Sequence, residues 1–476
     1  MKDCCSDKKP DGGFDLLVIG AGSAGFSAAI TAAEDGANVA LIGHGTIGGT
    51  CVNVGCVPSK AMIRAVEIMH SATAASRFDG ITATAKVTDW AAVVRQKQAL
   101  VDDLRAAKYI DVLPNYDAVT YIEGAAQFQA DGSVLVNGQA IKAGKVIIAT
   151  GSRPHVPDIA GLEGIDWLDS TTALELEVLP QSLMIMGGGY IGVELAQIFA
   201  RAGVEVTIVT RHGLLPNAEP EISAALTGYF TDEGITVLDG LTYGRFNQTG
   251  GQVSLQTMQA GKPLAVTAER LLLTTGRVPN TDALALEVAG IKTNLRGGIV
   301  TDAQMRSSLA HVYAAGDVTG RDQFVYMAAY GAKIAAKNAI LDAGLAYDNS
   351  TMPAVVFSDP QVASVGLTEA AAGAQGIETV TSVLPLEHVP RALAARDTRG
   401  LIKLVADKSS KKLLGAHILA PEGADSIQTV AMALKAGMTY DDLGAMIFPY
   451  LTTVEGLKLA AQTFEKDVAK LSCCAG

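Results

Sequence analysis

The chain has 476 residues, 49% apolar and 18% charged, a globular composition long enough for several cores and too apolar for a disordered chain. Its net charge is −12 and no basic block stands out, which argues against nucleic acid as a partner. The polar start MKDCCSDKKPDGG is unlike a secretory signal, and no apolar run reaches the roughly 20 residues that span a bilayer, so no membrane insertion and a cytoplasmic location are expected.

Residues 1–12 read as a disordered leader carrying Cys4 and Cys5. The apolar run Leu16–Ile19 predicts a strand, and Gly20, Gly22 and Gly25 follow it in the spacing of a dinucleotide-binding turn. Gly20 permits the tight turn, Gly22 lets backbone approach a pyrophosphate, and Gly25 lets the next helix pack on the strand. That helix offers amide donors and the positive end of its dipole to phosphate. The acid that usually ends the second strand and binds ribose is missing, because NVALIGHG ends in Gly43 and His44. The ribose contact is therefore open.

Cys51 and Cys56 come next, in GGTCVNVGCVPSKAMIRAVEIM. Pro58 suits an early helical position, and an amphipathic helix is expected after it. Thiols near a helix N-terminus ionise more readily, because the dipole favours the thiolate. Such a pair can cycle through a disulfide or hold a soft metal between two thiolates. A zinc half-site is the alternative, but no second CxxC or His pair at ligand spacing accompanies it.

The stretch from NYDAVTYIEGAAQF to VIIATG reads as strands and hairpins that complete the first unit. LMIMGGGYIGVELAQIFARAGVEVTIVTRHG then repeats the strand, glycine turn and helix, with Gly187, Gly189 and Gly192 in the fingerprint positions. Its second strand ends in Arg211 and His212 instead of an acid. An arginine there pairs with the 2′-phosphate of NADP; otherwise it is a solvated surface arginine. Two dinucleotide sites imply two cofactors that exchange a hydride, such as a flavin and a nicotinamide. The chain closes on KDVAKLSCCAG, with adjacent thiols at Cys473 and Cys474. A disulfide between neighbours closes only a strained ring, so two movable soft ligands are the more useful reading. All six cysteines fall in three close pairs, which in a reducing compartment points to redox or metal chemistry.

GGTCVNVGCVPSK, both fingerprints, VIIATGSRP, LLLTTGRVPN, HVYAAGDV and VFSDPQVASVGLTE together resemble the pyridine nucleotide–disulfide oxidoreductases over nearly the whole chain. The resemblance implies an α/β fold: two Rossmann-like domains, for FAD and NADPH, and an α+β C-terminal dimerisation domain. It places the FAD domain at 13–160 and 282–349, the NADPH domain at 161–281, and the interface domain at 350–476. It makes Cys56 the thiolate nearest the flavin and Cys51 the outer, exchanging thiol. Lys60 pairs with Glu194 near the flavin, Asp317 bonds the ribityl region, and Thr50 and Gly276 join the cofactor contacts.

Disulfide reductases of this family carry a histidine base in a pattern like His-Pro-Thr-x-x-Glu. Aligning Thr452 and Glu455 of IFPYLTTVEGLKLAAQTF with it puts Tyr450 where histidine belongs. Histidine exchanges protons near neutrality and tyrosine titrates near pH ~10, so this departure removes the base that a thiol product needs. With the SCC tail it resembles the mercuric reductases within the family. That resemblance implies a homodimer. Cys473 and Cys474 of one subunit take Hg(II) from thiol complexes and pass it to Cys51 and Cys56 of the other. Tyr450 covers the inner site from the partner chain. Tyr190 either lines the same pocket or gates the nicotinamide, and Cys4 and Cys5 are either a further metal-collecting pair or incidental. Two rivals stand beside this reading: a dithiol or disulfide oxidoreductase, and a non-enzymatic thiol-rich metal buffer.

Overall fold

The first apolar run becomes the middle strand of a five-stranded parallel sheet. In this computed structural model, which describes residues 13–471, it spans Phe14–Ile19. The described residues divide into two compact units, the first made of 13–61, 92–155 and 276–349, the second of 62–91, 156–275 and 350–471.

In the first unit the sheet order is Val312–Ala314, Ala143–Ile148, Phe14–Ile19, Val39–Gly43, Val119–Glu123. Every pairing is parallel. The middle strand is apolar at consecutive positions because both its faces are covered. On one face Leu16 and Val18 pack under α1 (Ser23–Glu34) and the helix Val325–Leu341. Those helices meet through alanines, among them Ala28, Ala32, Ala332 and Ala336, whose small side chains allow close approach. On the other face Leu17 and Ile19 pack with Phe128, Val134 and Val136 from a three-stranded antiparallel sheet. That sheet is the set of hairpins expected between NYDAV and VIIATG.

The second unit holds another parallel sheet, ordered Thr236–Leu238, Glu205–Val209, Ser182–Met186, Arg270–Leu273, Trp167–Leu168. Beside it lies a three-stranded antiparallel sheet built from Leu241–Thr249, Gln252–Gln259 and Lys262–Ala268. The C-terminal part is a five-stranded antiparallel sheet from Pro353 to Ala420. Its inner face is covered by the helices Gly423–Lys435 and Glu455–Gln462.

Within this unit a buried cation joins the parallel and antiparallel parts. Lys403 is 2% exposed and its Nζ donates to Glu219 at 2.9 Å, Glu221 at 2.9 Å and Glu369 at 3.1 Å. Burial pushes the amine's pKa down, but the three carboxylates outweigh it and hold the pKa above the ordinary lysine value. A charge in a core strand is tolerable only with such partners.

Candidate active site

The two glycine turns solve the same backbone problem. Gly20 and Gly187 take φ of +118° and +117°, left-handed values that favour glycine, at the end of their strands. A Cβ at Gly25 would collide with the carbonyl of Gly20, and one at Gly192 with the carbonyl of Gly187. Each third glycine thus lets its helix close on the preceding turn. The middle positions differ. A Cβ at Gly189 would meet nothing within 4 Å, which leaves room for a ligand to approach backbone. At Gly22 the neighbour is protein, since a Cβ there would lie 3.4 Å from the Cα of Gly49.

That contact seats the cysteine loop. Gly48 donates its amide to Ala21 at 2.8 Å and forms an isolated bridge with Gly22. From there the chain enters α2 (Gly49–Asn53), which carries exposed Thr50 and partly exposed Cys51. Asn53 Nδ2 ties the loop down by donating to the carbonyls of Ile47 at 2.9 Å and Gly49 at 2.8 Å. Arg105 donates in turn to Asn53 Oδ1 at 3.1 Å. Cys56 is the first residue of α3 (Cys56–Thr73), an 18-residue helix, so its sulfur sits at the positive end of the dipole. Pro58 falls in the first turn, as its missing amide requires. The Cys51 thiol is pushed well above the ordinary thiol range. The main cause is its hydrogen bond with the Cys56 side chain, followed by burial and by charge on Cys56, while Lys60 pulls the other way.

Tyr109 stands beside this pair and was invisible in the sequence. It follows α4 (Trp90–Arg105), within a π-helical turn at Ala106–Ile110. Its hydroxyl lies 3.0 Å from Ser23 Oγ, and its ring packs edge-on against Phe26 with centroids 4.9 Å apart. Burial raises its pKa, the hydrogen bond with Ser23 lowers it, and charge on Cys51 or Cys56 adds to the rise.

Asp317 opens a short turn after the strand Val312–Ala314. Ser152 Oγ donates to its Oδ2 at 2.6 Å, and Arg277 Nε donates to Ser152 Oγ at 2.7 Å. This fixes the carboxylate from one side. Gly276, at φ +109°, accepts from the His155 amide at 2.9 Å through its carbonyl.

In the second unit Tyr190 begins the helix Tyr190–Arg201, partly exposed, with its phenol pKa raised by burial. Glu194, four residues on, is buried, and its Oε1 accepts the Phe357 amide at 3.0 Å. Arg211 is exposed past the end of its strand, and its guanidinium carbon lies 5.9 Å from the centroid of the Tyr243 ring. Tyr243 donates to the carbonyl of Val209 at 3.1 Å, which also accepts the Gly187 amide at 3.0 Å. The arginine and the glycine turn thus share one anchor, which sequence reasoning missed because Tyr243 belongs to a different sheet. Tyr450 is 54% exposed.

Among the described residues no group of three or more His, Cys, Asp or Glu is placed to hold a metal ion, and no helix is long and apolar enough to cross a membrane. Cys473 and Cys474, like Cys4 and Cys5, lie outside the described residues. The two turns fit a dinucleotide each: both present a helix N-terminus behind a glycine that closes on its strand, and Gly189 leaves open space.

Comparison with known proteins bears on what fills these turns. Residues 14–335 match the family model described as pyridine nucleotide-disulphide oxidoreductase, and residues 352–461 match the dimerisation domain of the same family. A mercuric reductase of Streptomyces lividans is 47% identical over 98% of this chain and 99% of that protein. One from Staphylococcus aureus is 45% identical over 99% of this chain and 86% of that protein. Among solved structures, the HOCl-induced flavoprotein disulfide reductase RclA from Escherichia coli superposes with a TM-score of 0.83 at 32% identity. It covers 94% of this chain and 99% of that one.

Proposed function

The chain belongs to the pyridine nucleotide-disulphide oxidoreductase family, and from that premise we propose that it is a mercuric reductase, moving two electrons from NADPH to thiol-bound Hg(II) and releasing Hg(0). The family uses a flavin and a nicotinamide nucleotide. The observation that supports the reading is the contact of Gly48 and Gly49, which lead into the helix carrying Cys51, with Gly22 of the first glycine turn.

FAD belongs to the first turn, with Gly20, Gly22, Gly25, Thr50, Gly276 and Asp317 as its contacts. NADPH belongs to the second, with Gly187, Gly189 and Gly192 around the pyrophosphate and Arg211 on the 2′-phosphate. A flavin bound at the first turn supplies the two-electron path from nicotinamide to the thiol site. Cys51 and Cys56 are the inner ligands of the metal, for which soft thiolates are the preferred donors. Lys60, four residues into α3, lowers the cost of negative charge on them, and Tyr190 either lines the metal pocket or gates the nicotinamide. Cys473 and Cys474 collect mercury from small thiols and hand it across a homodimer to the partner's inner pair, where Tyr450 stands over it. The match to the dimerisation domain supports the dimer. The enzyme works in the cytoplasm, where reduced thiols hold mercury as complexes.

The test is NADPH oxidation dependent on mercuric ion with excess thiol present, coupled to detection of mercury vapour. Mercury-dependent oxidation with vapour is expected. Oxidation driven by organic disulfides and indifferent to mercury would replace this reading with that of a disulfide reductase.

A further inference from the structure

The missing ribose acid leaves a place in the first unit, and another residue fills it. Gly43 is the last residue of the strand Val39–Gly43, buried, one position past the Ile42 carbonyl that accepts the Gly20 amide at 2.8 Å. A side chain here would leave the C-terminal edge of the sheet beside the glycine turn, where a ribose acid acts in this fold. No side chain fits. A Cβ at Gly43 would collide with the hydroxyl oxygen of Tyr121 and lie 2.7 Å from both Cε2 and Cζ of that ring.

Tyr121 comes from the neighbouring strand Val119–Glu123. It stands level with Leu41 in the register, two residues before the level of Gly43. Its ring therefore leans along the strand toward the sheet's C-terminal edge, as long strand side chains do. It crosses the space above Gly43 and delivers its hydroxyl where the first atoms of an acid would stand. Tyr121 is half-buried, and burial together with the charge of Glu123 raises its pKa, so the phenol stays neutral and can both donate and accept.

We propose that Tyr121 is the ribose-binding residue of the FAD site, its phenol replacing the carboxylate that Gly43 lacks and hydrogen-bonding the 2′-hydroxyl of the adenosine ribose. The inference rests on the assignment of FAD to the first turn. Glycine at position 43 is then the partner of the substitution: it makes room for the ring that takes over the contact. Simple packing is the competing account, since Tyr121 also borders the core beneath α1. The two accounts diverge when the hydroxyl is removed and the ring is kept.

The experiment dilutes the holoenzyme and follows the flavin fluorescence of released FAD, and repeats this after exchange of FAD for its analogue lacking the 2′-hydroxyl of the adenosine ribose. The parent protein should hold FAD more tightly than the analogue. Tyr121→Phe should weaken FAD by about two- to tenfold, the worth of one neutral hydrogen bond, and leave the analogue unchanged. Tyr121→Val with Gly43→Glu removes the ring, restores an acid, and should recover preference for FAD over the analogue. Gly43→Glu alone should weaken FAD, because its carboxylate competes with the ring for one space. Equal retention of FAD by the parent and Tyr121→Phe overturns the inference while leaving the FAD assignment standing. So does equal weakening of FAD and analogue by Tyr121→Phe, the mark of a packing role. If Tyr121→Phe does not fold, failure of the paired Val and Glu substitutions to restore the preference overturns it. A purified parent protein without bound flavin would instead overturn the assignment on which it rests.

Discussion

The buried carboxylate of Glu455 accepts the backbone amide of Leu451 at 3.0 Å. Thr452 completes the exchange: its hydroxyl donates to the Pro449 carbonyl at 2.8 Å and accepts the Glu455 amide at 3.2 Å. Thr452 and Glu455 together thus hold the turn that presents Tyr450, just ahead of the helix Glu455–Gln462. Thr452 and Glu455 match the pattern that puts Tyr450 in the place of a histidine base. In this chain one oxygen of the glutamate serves the backbone, and the residue displayed is an exposed phenol.

Tyr450→Phe should therefore lower mercury turnover by about tenfold or more, the worth of a hydrogen bond to a charged ligand set, without slowing flavin reduction by NADPH. Steady-state mercury reduction and stopped-flow flavin reduction separate the two. Equal turnover by parent and variant would reduce Tyr450 to a packing residue. Glu455→Ala should cost about 1–3 kcal/mol of stability, because the Leu451 amide loses its acceptor, and urea unfolding reads that loss.

Cys56→Ala should bring the Cys51 thiol down toward the ordinary thiol range. The hydrogen bond with Cys56 and the charge on Cys56 both hold Cys51 up, and both vanish in the variant, while Lys60 continues to pull down. Alkylation of reduced protein by iodoacetamide across pH 6–10 measures it. Cys51 in the variant should react faster at neutral pH than Cys51 in the parent. An unchanged or upward-shifted profile would mean that Cys56 does not govern its partner.

What could be read from the sequence follows from how local each signal is. The glycine turns, the apolar strands and Cys56 at a helix start are set within a few residues, and each stands where its spacing puts it. The contacts that complete the sites come from elsewhere in the chain. Tyr121 fills the space over Gly43 from 78 positions away, and Tyr109 reaches Ser23 from 86 positions away. Tyr243 arrives from a separate sheet, and Ser152 meets Asp317 across 165 positions. A missing acid was legible as an absence, but its replacement depends on strand order and register, which no local pattern encodes.

Replacing both Cys473 and Cys474 by Ala should hurt most when mercury is presented as complexes with bulky thiols. Exchange between thiolates is a stepwise handover, and a bulky complex needs a collector outside the inner site. Bromide or cyanide complexes are small enough to reach Cys51 and Cys56 directly. Multiple-turnover assays with each donor should show a large defect for bulky thiols and a small one for bromide. Equal defects with all donors would remove the tail from the delivery route.

Stability should fall as the solution is acidified below pH ~6.5, before ordinary carboxylates begin to protonate. His417 is 3% exposed, and burial lowers its pKa more than the Leu367 carbonyl at 3.1 Å and the Glu219 carboxylate at 3.8 Å raise it. Lys403, beside the same carboxylates, lowers it further. His70 is also depressed, by burial and then by the charge of Arg201, despite Glu233 and Asp359. A base whose folded pKa lies below its unfolded value binds more protons unfolded. Its contribution is therefore fully present above the unfolded value of 6.5 and is lost as pH falls through the folded pKa. Each unit of depression costs about 1.4 kcal/mol once pH has passed below it. His417→Gln keeps a donor for the Leu367 carbonyl and cannot titrate, so its melting temperature should decline less between pH 8 and pH 5.5 than that of the parent. Parallel declines for the two proteins would show that His417 does not set the acid limb.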